Sequence, residues 1–238
     1  MIDPDALRIL PLGDRGLIVE LGDVLAPEIN ALVRVLASRL RGLPGVEEAV
    51  PTLRSVLVIF DPLSTDMTMV AESVERHAAS LPAASGAAAR VIEVPVVYGG
   101  SAGPDLEEVA AGRGLTPDQV VRAHSEVEYT VYMLGFTPGY PYLGILPEAL
   151  RTPRLPSPRL RVPRGSIGIA DAMTGIYPLS SPGGWRLIGR TPLEIYDPFA
   201  PDPVLFRPGD RVQFAPVPGV QFQEAPQARP LRVPDHAV

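Results

Sequence analysis

YTVYMLGFTPGYPYLGILPEALRTPRLPSPRLRVPRGSIGIADAMTGIYPLSSPGGWRLIGRTPLEIYDP, residues Tyr129 to Pro198, holds too much proline to be helical. Of the 29 prolines in the chain, 14 fall between Pro138 and Pro208; in a helix each would remove a backbone donor and crowd the preceding turn. Between them lie short runs that alternate as half-buried strands do: Ser166 to Ala170, Trp185 to Ile188 and Leu193 to Tyr196. Thr137-Pro138-Gly139 and Pro182-Gly183-Gly184 carry turn chemistry. This half of the chain is expected to be β-rich, a closed or nearly closed barrel.

Working outward, Leu7 to Leu12 and Leu17 to Leu21 flank a Gly-Asp-Arg-Gly turn and predict a hairpin. Pro27 to Leu40 sets Ile29, Leu32, Val33, Leu36 and Leu40 at helical spacing behind a first-turn proline. Strands at Val46 to Val50 and Ser55 to Phe60 and a helix from Asp66 to Ser80 complete the order ββαββα, an α+β sandwich with its helices on one face of the sheet. The small, uncharged run Pro82 to Ala89 reads as a linker. The expected organisation is an N-terminal α+β domain over residues 1–84, a barrel domain over 91–218 and a tail over 219–238. Within the second domain, Val91 to Val97 predicts a strand followed by two short helices. The second helix opens on Thr116-Pro117-Asp118-Gln119, a capping box with a first-turn proline. Strands at Glu128 to Leu134 and Arg211 to Phe214 bracket the proline-rich half, and no internal repeat is visible.

With 238 residues, 46% of them hydrophobic, the chain can bury a sizeable core. Its net charge of −6, with no basic tract beyond one arginine cluster, argues against nucleic acid as a partner. The acidic start Met1 to Asp5 and the lack of an apolar run near the ~20 residues of a membrane span lead to the expectation of a cytoplasmic protein. All 21 Lys-plus-Arg residues are arginine, which excludes Schiff-base, phosphate-loop and kinase-type lysine chemistry. There is no Cys, and His occurs only as His77, His124 and His236, so a thiol nucleophile is excluded and no protein-bound metal is expected.

Several residues carry a chemical and a structural reading side by side. His124 titrates near neutrality and can act as a general acid or base, or its ring can pack beside Val120 and Val121. Arg151, Arg154, Arg159, Arg161 and Arg164 fall within 14 proline-stiffened residues; one or two could hold a carboxylate or a phosphorylated intermediate, or all could face an acidic partner. Arg190 is a separate candidate for the same task. Gly183 and Gly184, with Gly165 and Gly175, permit close backbone approach to an anion, or simply a tight corner. Phe136, Tyr140, Tyr142, Tyr177 and Trp185 could floor a small-molecule pocket or anchor an interface. Ser166 and Ser181 have no base beside them in sequence, which disfavours a serine nucleophile.

Five ordered motifs, Gly135-Phe136-Thr137-Pro138-Gly139-Tyr140-Pro141-Tyr142-Leu143, Val162-Pro163-Arg164-Gly165-Ser166, Thr174-Gly175-Ile176-Tyr177-Pro178, Ser181-Pro182-Gly183-Gly184-Trp185 and Ile188-Gly189-Arg190-Thr191-Pro192, resemble the KipI family, also called allophanate hydrolase subunit 1, which includes the B subunit of bacterial 5-oxoprolinase. The resemblance implies a cyclophilin-like β-barrel preceded by a small α+β domain. It implies two partners, a C subunit (allophanate hydrolase subunit 2 type) and a LamB/YcsF-type A subunit, which with this chain open 5-oxoproline, a lactam, to glutamate with ATP hydrolysis. The lysine-free composition fits a chain whose main ATP site lies on another polypeptide and which is inactive alone. The same family resemblance covers two alternatives, a urea carboxylase or allophanate-processing partner and an inhibitor of a sensor histidine kinase. With the motifs it marks His124 as catalytic, and Tyr140, Tyr142, Arg159, Ser166, Thr174, Tyr177, Gly183, Gly184 and Arg190 as substrate-binding. The sequence departs from the family pattern at Asp171-Ala172-Met173, where a Gly and a Gln are more usual, and at Tyr140, more often Phe.

Overall fold

The computed structural model describes residues 7–81 and 89–219 and the backbone of 230–232. The expected linker lies almost wholly outside the described residues, as do Met1 to Asp5 and most of the expected tail. The chain divides into two compact units, Met1–Ala87 and Ala88–Val238.

In the first unit β1 (Arg8–Leu12), β2 (Gly16–Glu20), β3 (Val46–Pro51) and β4 (Ser55–Phe60) form an antiparallel sheet in the order β1-β2-β4-β3. Alternation sends Leu17, Val19, Val56, Val58 and Phe60 to one face. There they join Val33, Leu36 and Leu40 of α1 (Pro27–Leu40) and Val70 and Val74 of α2 (Met67–Ala79) in a single apolar cluster. Asp66 caps α2, accepting from the Met69 N–H at 2.9 Å.

The second unit is the barrel. Its strands are β5 (Val91–Tyr98), β6 (Glu128–Leu134), β7 (Pro141–Gly144), β9 (Ser166–Ala170), β10 (Met173–Ile176), β12 (Arg186–Arg190) and β13 (Arg211–Pro216). Following hydrogen-bonded neighbours gives β5-β12-β9-β10-β7-β6-β13 and back to β5, a closed circuit of seven strands. Every pairing in the circuit is antiparallel except β13 with β5. β8 (Arg159–Val162) and β11 (Ser181–Gly183) make a separate two-stranded ribbon, and β14 (Pro230–Arg232) adds to β5. Val94, Val131, Leu143, Ile167, Ile169, Ile176, Ile188 and Phe214 fill the core. Helices α3 (Leu106–Arg113) and α4 (Pro117–Ser125) connect β5 to β6. The reciprocal cap of α4 forms as its sequence dictates: the Thr116 N–H donates to Gln119 Oε1 at 2.8 Å and the Gln119 N–H to Thr116 Oγ1 at 3.2 Å.

Two expectations fail locally. Leu193 to Tyr196 is not a strand: Leu193 and Ile195 are buried and Glu194 is exposed, but the segment makes only one bridge, Tyr196 to Val204. Its alternation reports burial without a ladder. Pro182-Gly183-Gly184 is not a turn, since Ser181–Gly183 pairs with β8.

A polar strut crosses the barrel interior at His124, which is fully buried. Thr174 Oγ1 donates its one proton to the Gly168 carbonyl at 3.1 Å, so its contact with His124 Nε2 at 2.9 Å requires the ring nitrogen to donate. His124 Nδ1 then accepts from the Tyr98 hydroxyl at 2.7 Å. The ring stacks on Phe214 with centroids 4.5 Å apart. Burial lowers its pKa to about 3, so the imidazole is neutral at physiological pH. A group whose pKa is depressed on folding stabilises the fold above its unfolded value near 6.5 and loses that contribution as pH falls toward the folded value. Lowering the pH from 7.5 to 5 should therefore remove about 2 kcal/mol from the barrel through this residue. Urea unfolding followed by the fluorescence of Trp185, the chain's one tryptophan, should show that the pH-dependent loss shrinks by about this amount in His124→Gln. Equal pH slopes in the two proteins would refute the linkage.

Candidate functional site

A cavity of about 470 Å³ opens on the barrel unit. The loop between β6 and β7 contributes Phe136 and Thr137, and Tyr140 and Tyr142 follow at β7. Arg154 and Pro158 enter from the proline-rich segment before β8, Tyr177 from the end of β10, and Ser181 to Trp185 from β11 and the residues after it. Phe136 stands at φ +67°, a conformation that costs a non-glycine residue about 1 kcal/mol or more. The turn is held by the Gly135 N–H on the Tyr140 carbonyl at 3.1 Å and the Tyr140 N–H on the Thr137 carbonyl at 3.1 Å. The consequence is a large apolar ring left 62% exposed at the cavity.

Tyr140 is the hub of the walls. Its ring meets Tyr142 at 5.0 Å, Tyr177 at 5.1 Å, Phe136 at 5.6 Å and Trp185 at 5.8 Å, mostly edge to face, the arrangement that aromatic quadrupoles favour. Backbone without side chains makes room for these rings. A Cβ at Gly183 would lie 2.4 Å from Tyr177 Oη, and one at Gly175 would lie 2.6 Å from Tyr140 Oη. Burial raises the pKa of Tyr140, Tyr142 and Tyr177, so all three phenols stay protonated at neutral pH.

Two polar groups in this lining are unfinished. Thr137 Oγ1 and Ser181 Oγ are buried and have no hydrogen-bond partner. Buried hydroxyls are normally bonded, and an orphan is costly. Arg154 supplies the charge, and its one ion pair among the described residues, to Asp171 Oδ2, is long at 3.7 Å and mostly exposed on both sides. Such pairs contribute about 0–1 kcal/mol, so the guanidinium can turn toward an anion in the cavity at little cost. The lining contains no Asp, Glu or His. It can therefore clasp a small, flat, polar molecule but offers no acid or base that titrates near neutrality.

Five of the residues marked as substrate-binding come together here, Tyr140, Tyr142, Tyr177, Gly183 and Gly184, beside Phe136, Arg154 and Trp185, which the sequence offered as pocket or anion candidates. His124 and Thr174 meet each other inside the barrel, away from this lining. Arg159 Nη2 is held by Asp105 Oδ1 at 2.5 Å and does not line the cavity. Ser166 and Arg190 are partners across β9 and β12, and Arg190 Nε donates to the Arg164 carbonyl at 2.8 Å. Met173, where the family pattern has a polar residue, is buried. Thr137 was legible only as part of a turn, and its orphan hydroxyl has no sequence signature. Asp105, the anchor of Arg159, lies 54 residues away from it in sequence. Among the described residues no group of three or more His, Cys, Asp or Glu could hold a metal, and no helix is long and apolar enough to cross a membrane.

The carboxyltransferase domain, subdomain C and D, matches residues 7–206. The chain is similar to the 5-oxoprolinase B subunit of Escherichia coli O157:H7, 46% identical over 215 residues that cover 88% of this chain and 95% of the relative. It is similar also to the 5-oxoprolinase B subunit of Bacillus subtilis, 39% identical over 219 residues, 87% of this chain and 91% of the relative. In fold it resembles urea carboxylase of Kluyveromyces lactis, with a TM-score of 0.72 at 20% identity over 91% of this chain and 22% of that one.

The glycine geometry separates two adjacent positions. Gly183→Ala must displace Tyr177 and should destabilise the barrel by about 1–3 kcal/mol. Gly184→Ala, whose Cβ would find its nearest neighbour 3.8 Å away at Pro158, should stay within about 0.5 kcal/mol of the parent. Urea denaturation of the two variants checks this, and equal losses would contradict the packing described.

Proposed function

The chain belongs to the carboxyltransferase subdomain C and D family, in the KipI or allophanate hydrolase subunit 1 group that includes the 5-oxoprolinase B subunits, and from that membership we propose that its aromatic cavity holds 5-oxo-L-proline for ATP-dependent opening to L-glutamate. The observation that carries the reading is the combination in one lining of edge-to-face rings, two unpartnered hydroxyls and one loosely held arginine. A five-membered lactam is flat enough to lie among rings, its amide oxygen and N–H suit Thr137 Oγ1 and Ser181 Oγ, and its carboxylate suits the Arg154 fork.

A lactam carbonyl is a poor electrophile. Transfer of the ATP γ-phosphoryl group to the lactam oxygen makes the ring carbon open to water; the C–N bond then breaks as the nitrogen takes a proton, leaving an acyl phosphate, and a second water cleaves that mixed anhydride to release phosphate and the free carboxylate. The cavity binds, orients and shields the ring, while protonated tyrosines and hydroxyls donate to the oxygen as charge develops on it. It has no lysine or carboxylate to take a proton from water. We therefore assign the main ATP site and the base to partners, a C subunit of the allophanate hydrolase subunit 2 type and a LamB/YcsF-type A subunit, and expect the chain to be inactive alone.

The test is the complex assembled by co-expression, with glutamate release from 5-oxoproline and ATP as the readout. Ser181→Ala should raise KM about fivefold to tenfold, the worth of one hydrogen bond, while leaving urea stability unchanged or slightly higher because an orphan hydroxyl is removed. Arg154→Gln should raise KM at least as much. Unchanged KM in both variants would remove the cavity from the reaction, and full-rate turnover by the isolated chain would remove the partners.

A further inference from the structure

We infer that the barrel unit carries a second binding site, for a diphosphate or longer phosphate chain, in a groove lined by Glu108 and Arg113 of α3, Arg151 and Thr152 after the 3-10 turn at Glu148–Leu150, and Arg186 of β12. The groove encloses about 490 Å³ and shares no lining residue with the aromatic cavity. Three guanidinium groups face one carboxylate there, so the lining is positive in a chain whose net charge is negative. Two of the three are fixed in advance. Arg113 donates from Nε to the Ala149 carbonyl at 2.9 Å and from Nη2 to the Glu148 carbonyl at 3.0 Å. Arg186 Nη1 pairs with Glu108 Oε1 at 2.6 Å, with the arginine side chain 13% exposed. Its Nε is buried and has no partner. Arg151 completes the set with an exposed side chain that makes no ion pair among the described residues.

The arrangement selects the ligand class. A single carboxylate saturates one guanidinium fork, leaving the others unanswered, whereas a phosphate chain offers oxygens and charge to several forks at once. In a chain without lysine, side-chain cations for such a ligand must be arginines. Holding Arg113 and Arg186 by carbonyls and Glu108 reduces the ordering cost on binding, and an anion in the groove supplies an acceptor for the Nε–H that no protein atom answers. The inference uses none of the residues assigned to 5-oxoproline, so each site can fail without the other.

Calorimetric titration of the full chain at fixed ionic strength with pyrophosphate, ADP and citrate tests it. The expected result is one saturable pyrophosphate site per chain, weakened at least tenfold in both Arg151→Gln and Arg186→Gln and unchanged in Arg161→Gln, an arginine outside the groove that bonds Ser180 Oγ. Arg151 is exposed, so its variant reads the site even if loss of the Glu108 pair unsettles Arg186→Gln. ADP binding more tightly than pyrophosphate would identify the source as a nucleotide, and the reverse a free phosphate chain. Absence of saturation, citrate binding as tightly as pyrophosphate, or equal weakening in Arg161→Gln would overturn the assignment.

Discussion

The barrel closes through two residue pairs, Gly189 with Tyr98 and Arg190 with Val97, and the carboxylate of Asp105 reinforces that short seam. Asp105 stands at the start of α3 but leaves the helix N–H groups uncapped. Instead its Oδ2 accepts the Leu187 N–H at 2.6 Å, its backbone N–H donates to the Leu187 carbonyl at 2.9 Å, and its Oδ1 takes Arg159 at 2.5 Å. A carboxylate so buried is tolerable only when paired and hydrogen-bonded. The chain runs tightly against itself here: a Cβ at Gly103 would fall 2.0 Å from the Ile188 carbonyl oxygen, and one at Gly189 would fall 2.9 Å from that of Val97. One side chain thus ties together the α3 entrance, β12 and the β8 ribbon.

The aromatic cavity and the arginine groove both hang from this seam. Trp185 lines the aromatic cavity and Arg186, next in the chain, lines the arginine groove, while Leu187 is the residue that Asp105 grips. The two regions differ in electrostatic character. The cavity is walled by neutral phenols and hydroxyls with a single cation at hand, whereas the groove concentrates charge. Neutral donors polarise a bound polar group without competing for its proton, and on that division rests the role proposed above for the cavity.

The sequence disclosed what rests on local chemistry. Proline density announced the strands, the Thr116-Pro117-Asp118-Gln119 run announced its helix, and the spacing of Val33, Leu36 and Leu40 announced the covered face of the first sheet. Where the outcome depends on residues far apart in the chain, local pattern was silent or ambiguous. The valines beside His124 allowed either a catalytic or a packed ring; the partners that hold both ring nitrogens, Tyr98 and Thr174, lie 26 and 50 residues away. Pro182-Gly183-Gly184 suggested a turn because glycine is turn-prone, yet Gly183 lies in a strand at a position where a side chain would collide with the Tyr177 hydroxyl. The aromatic members of the cavity stood out by type, whereas Thr137 and Ser181 matter through bonds they do not make, which no pattern records.

The parallel pairing of β5 with β13 has a consequence for biosynthesis. β5 is the first barrel strand to be made, yet its neighbours in the closed circuit, β12 and β13, begin at Arg186 and Arg211. Contacts that span so much chain form slowly, because loop-closure entropy is lost before they are gained. On the ribosome the barrel has no route to closure until its last strands have left the exit tunnel, and β5, rich in valine, waits throughout with both edges bare. An unpaired, valine-rich edge held open for that long is open to mispairing, the hazard that non-local strand pairing carries.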